Sequence, residues 1–256
     1  MSIEKLYGFN GKILKFNELL MGDVGALAPS YPTDGLVARW DFNDTLVSAN
    51  SDVYPDATWT LSSNGTVGYD ATYYKEGKSV KGNPGRIYTS DVSIYGVFKN
   101  QTPWTVSFFF LCDDPATHPQ DPWWNGDSAN VGPFARTFIG YNNAGGYWYM
   151  YRRDNTTTKS TYMTLTKTCV GNTWYHMCMR YGGTADSRLQ FNIDVDSSVN
   201  ATSNFDIVSA SVNRNSLMAE PWGSGTRYTY IDLYYVYNRY LSDAEVAQLY
   251  NGGVGI

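Results

Sequence analysis

The feature that most constrains this chain is a two-residue alternation of apolar side chains that recurs from Leu36 to Val236. Apolar residues occupy every second position in the segments 36–42, 104–111 and 189–196, and clusters of Gly, Asn, Asp and Pro separate such segments. Side chains two apart in a strand point to the same face, so the pattern predicts strands with one side on a core. Many strands without strand–helix alternation predict two packed antiparallel sheets.

Each alternating segment predicts which residues face the core. In one strand the predicted core residues are Val106, Phe108 and Phe110, and in another they are Leu189, Phe191, Ile193 and Val195. In the segment 145–153, Tyr147, Tyr149 and Tyr151 fall on one side, opposite Trp148, Met150 and Arg152.

One short helix is predicted after the last strand. It begins at Ser242, whose hydroxyl can accept from a first-turn amide, and Glu245 three residues later can return the bond. Val246, Leu249 and Tyr250 form an apolar stripe, and Gly252 is expected to end the helix with a positive φ.

The first 32 residues differ in kind from the rest. They contain an Asn-Glu-Leu-Leu stretch at 17–20 that predicts one helical turn, followed by a Gly- and Pro-bearing exit at 22–32. We therefore expect an N-terminal arm or linker at 1–32 and one β-sandwich domain at 33–256. Lys or Glu interrupts every apolar stretch of the first thirty residues, so no secretory signal is expected.

Composition excludes several classes of protein. The 256 residues carry a net charge of −5, which leaves no surplus of Lys and Arg for nucleic acid. No apolar run approaches the roughly 18 residues of a spanning helix, so membrane insertion is not expected. Three cysteines, Cys112, Cys169 and Cys178, form an odd set in a chain long enough to bury its own core, which predicts free buried thiols.

The segment from Tyr230 to Gly253 resembles the closing signature of the laminin-G-like jelly rolls of the concanavalin A-like lectin and glucanase superfamily. The matching positions are Asp232, Asn238, Arg239, Leu241, Ser242, Glu245, Leu249, Tyr250 and Asn251. Three further blocks follow the family order, at 35–45, 76–82 and 174–176. The resemblance implies an all-β fold, a two-sheet antiparallel jelly-roll sandwich with a short C-terminal helix. Its members bind glycans, bind proteins or form shells, so it does not select a function.

A Pro-, Asp- and Asn-rich segment at 113–133 carries paired tryptophans and is predicted to be a long loop. Indole faces can stack on the apolar sides of a sugar ring, and carboxylate and amide groups can bond its hydroxyls. The candidate glycan- or partner-binding residues are Trp123, Trp124, Asp121, Asn125 and Asp127. A contact with a protein and local packing of the indoles are alternatives.

Asp232 is the candidate metal ligand. By parity it shares a face with Tyr234 and Val236, and the family register directs that face toward the interior. A buried carboxylate must accept hydrogen bonds or hold a cation, so Asp232 either accepts from loop amides or binds a structural calcium. No other cofactor is expected, and His176 is predicted to pack in its strand.

Catalysis is not expected. Glycoside hydrolysis needs two carboxylates across a bond, and the Glu-x-Asp-x-Glu triplet of the glucanase branch is absent from this sequence. Asp194 and Asp196 share a strand face, but the apolar residues occupy the opposite face, so these carboxylates are predicted to be solvated.

These features favour a non-catalytic display or adhesion module on a virion, such as a phage head or tail structural or decoration protein. Its lectin-like jelly roll would bind a cell-surface glycan or protein, and residues 1–32 would attach it to other virion subunits, with homo-oligomerisation expected. The alternatives are an exported bacterial carbohydrate-binding protein, extracellular or at the cell surface, and a glycoside hydrolase relative.

Overall fold

A computed structural model describes strands at 7–9 and 12–14 and residues 31–48, 59–89, 92–99, 102–115, 120–127, 135–154, 159–195, 197–203, 212–218 and 229–251. The chain divides into two compact units, 1–30 and 31–256. In the first unit, strands β1 (Tyr7–Phe9) and β2 (Lys12–Leu14) pair antiparallel. The helical turn predicted at 17–20 lies outside the described residues.

The described part of the second unit contains thirteen strands and three short helices. The strands are β3 (Leu36–Trp40), β4 (Ser62–Asp70), β5 (Ser79–Thr89), β6 (Trp104–Cys112), β7 (Gln120–Asp127), β8 (Arg136–Asn142), β9 (Tyr147–Arg153), β10 (Ser160–Leu165), β11 (Thr173–Tyr181), β12 (Arg188–Ile193), β13 (Ser197–Thr202), β14 (Val212–Leu217) and β15 (Thr229–Tyr237). The helices are α1 (Val92–Lys99), α2 (Gly183–Asp186) and α3 (Asp243–Tyr250). Among the helices described, none is long and apolar enough to span a bilayer.

The thirteen strands form one antiparallel hydrogen-bonded network that folds over on itself as two layers. One layer runs β10-β9-β8-β7-β14 and the other runs β15-β6-β11-β12-β13, and β5 pairs with both β14 and β15. Strand β3 pairs with β15 and β4 pairs with β5. At the opposite edge, Thr161 Oγ1 of β10 donates to the Thr202 carbonyl of β13 at 3.2 Å. The predicted all-β sandwich is confirmed.

Aromatic side chains from both layers meet in the core between them. The rings of Trp40 and Tyr234 stack at 5.2 Å, and Trp123 of β7 donates to the Tyr234 hydroxyl of β15 at 3.2 Å. Phe110 meets Trp148 edge to face across the layers at 5.9 Å. The predicted core faces are confirmed for the following residues: Val106, Phe108, Phe110, Leu189, Phe191 and Ile193.

Strand β12 is shorter than the alternation predicts. It ends at Ile193 because Asp194 adopts φ +52°, a left-handed conformation that does not continue a strand. The core position predicted for Val195 is therefore wrong, since this side chain is 42% exposed. Asp194 is not solvated as predicted: it accepts from the His176 N–H at 2.9 Å and from Lys167 Nζ at 2.6 Å. The side chain of Asp196 lies outside the described residues.

A second apolar cluster lies on the outer side of β15, β6 and β11, where helix α3 packs. Leu241, Val246 and Leu249 are buried there. The predicted capping box is confirmed, because the Ser242 hydroxyl accepts from the Glu245 N–H and the Glu245 carboxylate accepts from the Ser242 N–H. The residue that caps the end of the helix is Asn251, which is left-handed, and Gly252 lies outside the described residues.

The predicted free thiols are confirmed at Cys169 and Cys178, both buried. The side chain of Cys112 lies outside the described residues.

Candidate functional site

The prediction of a loop at 113–133 is wrong in its central part, because residues 120–127 form strand β7 between β8 and β14. Pro122 is accommodated where the register with β8 shifts between Gln120 and Trp123. Proline lacks an N–H and is tolerated in a sheet at such irregularities. A loop was predicted here because proline and polar residues are more typical of loops than of strands.

Burial in β7 removes most of the predicted binding residues from the surface. Trp123, Trp124 and Asn125 are each 0% exposed, so neither indole presents a face to a sugar, and the packing alternative describes both. The side chain of Asp127 lies outside the described residues. Of the four candidate residues whose side chains the structure describes, Asp121 is the one that is partly exposed.

Asp232 lies on the face of β15 opposite to the predicted one. It is 0% exposed and sits opposite Phe109 of β6, and the register with β6 shifts immediately after it. Leu233 adopts φ +51° at this point. The resulting β-bulge inserts one extra residue into β15. Residues on either side of the bulge that strict alternation would place on one face of the sheet therefore lie on opposite faces. Tyr234 and Val236 therefore face the large core, while Asp232 lies on the other side of the sheet.

The Asp232 carboxylate is bonded to three backbone amides. Its Oδ2 accepts from the N–H groups of Lys75 at 2.6 Å and Glu76 at 3.1 Å, and its Oδ1 accepts from Leu233 at 2.8 Å. These contacts correspond to the first of the two predicted roles of Asp232, in which its carboxylate accepts hydrogen bonds from loop amides. Burial raises the pKa of Asp232 to about 7. Among the described residues there is no group of three His, Cys, Asp or Glu that could hold a metal ion, and calcium at Asp232 stays a prediction.

His176 packs in β11, as predicted, and is 1% exposed. Its Nε2 is hydrogen-bonded to Ser107 Oγ at 2.7 Å, and its ring lies 4.9 Å from that of Phe109. Burial lowers the pKa of His176 to about 3. Phe109 of β6 pairs with His176 of β11 on one side and with Asp232 of β15 on the other. The two titratable residues therefore lie at the same level of the sheet, on the strands that flank β6.

The surface best suited to a ligand is on the outer side of the other layer. Tyr149 and Tyr151 of β9 lie there with Tyr162 of β10, and we call these three residues the tyrosine face. The rings of Tyr149 and Tyr162 stack at 5.6 Å with 25° between their planes. Phe138 of β8 contacts Tyr149 edge to face at 5.6 Å and supports it from below. Tyr162 is 51% exposed, so the assembly presents an aromatic surface to solvent.

Gly140 of β8 lets Tyr149 lie close to the sheet. A Cβ atom at Gly140 would lie 2.5 Å from Tyr149 Cζ, 2.6 Å from its hydroxyl oxygen and 2.9 Å from Asp121 Oδ1. Only glycine leaves room for both side chains there. The hydroxyl of Tyr149 and the carboxylate of Asp121 therefore converge on one point at the base of the tyrosine face.

An open cleft of about 510 Å³ adjoins the tyrosine face at the β8–β9 turn, and we call it the hairpin cleft. Its lining residues are Tyr141, Asn142, Asn143, Ala144, Tyr149 and Tyr162. Asn142 is held in place because its Nδ2 donates to the Tyr147 hydroxyl at 3.0 Å and its Oδ1 accepts from the Gly145 N–H at 3.0 Å. The hairpin cleft thus presents amide and phenol groups around the faces of its tyrosine rings.

The hydroxyl of Tyr162 remains neutral at physiological pH. Burial, together with a hydrogen bond to Tyr147, raises the pKa of Tyr162 to about 12. A neutral phenol can both donate and accept a hydrogen bond. The cleft therefore offers both functions to a polar ligand.

The sequence carried a signal for this site. The alternation of residues 145–153 correctly places Tyr149 and Tyr151 opposite the buried Trp148 and Met150. Several aromatic residues on the side of a strand that faces away from the core indicate a binding surface. Tyr162 was missed because only the register with β10 brings it beside Tyr151.

No protein-family model and no curated protein matches this chain. Solved structures similar to it include the binding domain of botulinum neurotoxin DC in complex with SialylT, at 10% identity with TM-score 0.62. Others are the binding domain of Paraclostridial Mosquitocidal Protein 1, at 14% and 0.61, and a structure of botulinum neurotoxin type C, at 12% and 0.62, whose cell entry is dependent upon interaction with two ganglioside molecules. Each alignment covers 86% of this chain and 52–53% of the other, so this chain spans about half their length. At these identities the likeness shows the β-rich fold, and the laminin-G-like assignment stays a prediction.

Proposed function

We propose that this chain is a non-catalytic carbohydrate-binding adhesion module, and that the tyrosine face and the hairpin cleft together bind the sugar. The observation that carries the proposal is the stack of Tyr162, which is 51% exposed, on the partly buried Tyr149 beside a cleft lined by Asn142 and Asn143. Aromatic rings offer flat apolar surfaces to the C–H faces of a sugar, and a few placed amides orient its hydroxyls.

The similar structures support this proposal. One is a binding domain in complex with SialylT, and another belongs to a toxin whose cell entry is dependent upon gangliosides. We transfer only the general activity, glycan binding, to this chain. The site residues come from the geometry described above.

We predict that Tyr162→Ala weakens glycan binding by about tenfold or more. The substitution removes the most exposed ring of the tyrosine face, and large aromatic side chains carry much of the energy of a binding site. Binding is measured first on a glycan array and then by titration of the strongest glycan.

Two further variants control this experiment. Tyr162→Phe keeps the ring and is expected to retain most of the affinity. Tyr74→Ala removes a tyrosine that is 46% exposed but lies outside the site, so it should leave binding unchanged. A folded wild-type protein that binds no glycan, or equal losses in the Tyr162→Ala and Tyr74→Ala variants, would refute the proposal.

The proposed module is non-catalytic because its cleft does not supply the groups for hydrolysis. A glycosidase needs two carboxylates on opposite sides of the bond. The described residues that line the hairpin cleft contribute none, and Asp121 is a single carboxylate beside it. A glycoside hydrolase relative would instead release reducing sugar from the bound glycan.

We further propose that the module acts on a virion, where residues 1–32 attach it to other virion subunits as a homo-oligomer. The separation of residues 1–30 as their own compact unit supports an attachment role. Removal of residues 1–32 is expected to abolish co-sedimentation with virus particles while glycan binding by the remaining domain is retained. Secretion of the intact chain into culture medium without particles would favour the exported lectin instead.

A further inference from the structure

A second, smaller cleft lies between the β12–β13 hairpin and the start of helix α3. Its volume is about 150 Å³, and we call it the helix cleft. The residues that line it are Gln190, Asn192, Val195, Ser198, Asp243 and Val246. Asn192 pairs with Cys178, which belongs to the apolar cluster under α3, so the cleft lies on the outer side of this layer. The tyrosine face lies on the outer side of the other layer, and the two surfaces therefore point in opposite directions.

Asn192 places a buried amide of fixed orientation in the helix cleft. The residue is only 5% exposed, and its Oδ1 accepts from Arg180 Nη2 at 3.2 Å. Because arginine can only donate, the oxygen of this amide must face Arg180 and the Nδ2 group must face away from it. Among the described residues no acceptor is bonded to this Nδ2. A buried amide that keeps an unused donor at a cleft is suited to an acceptor group of a ligand.

Internal hydrogen bonds fix two neighbouring polar groups in the same way. Gln190 Oε1 accepts from the Tyr240 hydroxyl at 2.6 Å, which leaves its Nε2 as a donor for the cleft. Asp243 Oδ1 accepts from Arg180 Nη2 at 2.6 Å, which leaves its Oδ2 as an acceptor. The negative charge of Asp243 is paired with that of Arg180, so its carboxylate serves here as a hydrogen-bond acceptor. The helix cleft thus combines two amide donors with one carboxylate oxygen.

We infer that the helix cleft is a second saccharide-binding site, which takes a single sugar ring. Each hydroxyl of a sugar can accept from an amide N–H and donate to a carboxylate oxygen, so neighbouring hydroxyls match the groups of this cleft. Val195 and Val246 add apolar surface for the C–H groups of the ring. The volume is less than a third of the 510 Å³ of the hairpin cleft, which favours one ring over a longer glycan.

The second site extends the proposed carbohydrate binding to another surface and does not depend on the tyrosine face. Because the two sites point in opposite directions, they engage separate glycans rather than two parts of one short glycan.

Two-dimensional amide NMR on the full chain tests the inference, because the side-chain amides of Asn192 and Gln190 give signals of their own. The probes are the methyl glycosides of glucose, galactose and mannose. We expect at least one of them to shift both signals in a saturable manner, with a dissociation constant in the millimolar range that is ordinary for a small ligand. N-acetylglycine methylamide, a neutral mimic of a peptide backbone, should leave both signals in place.

Two variants locate the binding. Gln190→Leu removes one donor and keeps a side chain of similar size, so it should weaken binding of the sugar by about three- to tenfold. Its partner Tyr240 is only partly buried, and water can replace the lost bond. Ser198→Tyr places a large side chain at the cleft from an exposed position and should abolish the shifts of the Asn192 signal.

Two further variants are controls. Asn64→Leu changes an exposed amide of β4 that lines neither cleft, and it should leave the affinity unchanged. Tyr162→Ala alters the tyrosine face on the opposite surface and should also leave it unchanged.

The outcomes separate this inference from the proposed function. The inference is overturned if none of the three sugars shifts the two signals, if the peptide mimic shifts them more than the sugars do, or if folded Gln190→Leu and Ser198→Tyr bind as the wild-type protein does. In each of these cases glycan binding that is lost in Tyr162→Ala still supports the tyrosine face. Shifts that persist while the glycan array shows no binding support the helix cleft and overturn the tyrosine face instead.

Discussion

Replacing Arg180 with methionine is expected to lower the free energy of unfolding by about 2–4 kcal/mol. The Arg180 side chain is 1% exposed and donates to the Leu241 carbonyl at 2.7 Å, to Asn192 Oδ1 at 3.2 Å and to Asp243 Oδ1 at 2.6 Å. Methionine fills similar space but donates no hydrogen bond, so the buried carbonyl and amide lose their partner. The Asp243 side chain is 86% exposed and is solvated by water after the change, so it adds little to the loss.

Urea unfolding followed by tryptophan fluorescence measures the effect, and hydrogen exchange locates it. Because Arg180 joins β11 to the residues that begin helix α3, exchange of the α3 amides should accelerate first. Arg188→Met is the matched control, since that side chain is 63% exposed, and it should change stability far less than Arg180→Met does. Similar losses for the two variants would show that the buried hydrogen bonds contribute no more than a surface ion pair.

The sequence predicts the strands and their core faces where apolar residues alternate without interruption. In β6, Val106, Phe108 and Phe110 all reach the core, because a strand that keeps its parity must bury every second residue. The capping box at Ser242 and Glu245 is also predictable, because both bonds form between residues three apart in sequence.

The rule that every second residue of a strand faces the core fails where the backbone leaves the regular strand conformation. The bulge at Leu233 reverses the face of Asp232, and the left-handed Asp194 exposes Val195. Leucine rarely adopts positive φ, so nothing in the sequence around Leu233 signals the bulge. Such positions are set by the pairing of neighbouring strands rather than by local preference.

The candidate site could not be predicted without the register that pairs residues of neighbouring strands. Tyr149 and Tyr162 are 13 positions apart in the sequence, and their stacking depends on how β9 pairs with β10. The paired tryptophans show the same limit, since the sequence around Trp123 and Trp124 is equally consistent with a surface platform and with a buried strand. Their burial follows from the position of β7 between β8 and β14.

The second large effect is expected in the dependence of stability on pH, where Asp232 and His176 oppose each other. Burial raises the pKa of Asp232 from 3.8 to about 7, so between these values the unfolded chain is ionised and the folded chain is protonated. Unfolding then releases a proton, and stability falls as the pH rises. Burial lowers the pKa of His176 from 6.5 to about 3, so unfolding takes up a proton over that range and stability rises with pH.

The two slopes should cancel between about pH 4.5 and 6.5. Each is on the order of 1 kcal/mol per pH unit with opposite sign, so the wild-type protein is expected to show nearly constant stability in this window. Two other carboxyl groups, Glu245 and Asp70, have lowered pKa values and act at more acidic pH. Arg239 lowers the pKa of Glu245 to about 2, so this group contributes only as the pH falls below its unfolded value of 4.5. Hydrogen bonds from Tyr73 and Thr72 lower the pKa of Asp70, which acts in the same acidic range.

Single substitutions should reveal each slope. His176→Gln keeps a polar partner for Ser107 but does not titrate, so its stability should fall by about 2–3 kcal/mol from pH 4.5 to 6.5. Asp232→Asn should show the reverse, a rise of similar size over the same range, on top of a constant loss because its amide cannot accept from all three N–H groups.

The double variant completes the test. It lacks both titrating groups, so its stability should again be nearly independent of pH although its value is lower than that of the wild-type protein. Urea unfolding at four or five pH values across the window gives all four curves. If both single variants are as flat as the wild-type protein, then the constancy does not come from two opposing groups. A flat curve for His176→Gln would mean that Asp232 is already ionised in the folded state, held as a carboxylate by the amides of Lys75, Glu76 and Leu233, and a flat curve for Asp232→Asn would mean that His176 does not change its protonation on unfolding.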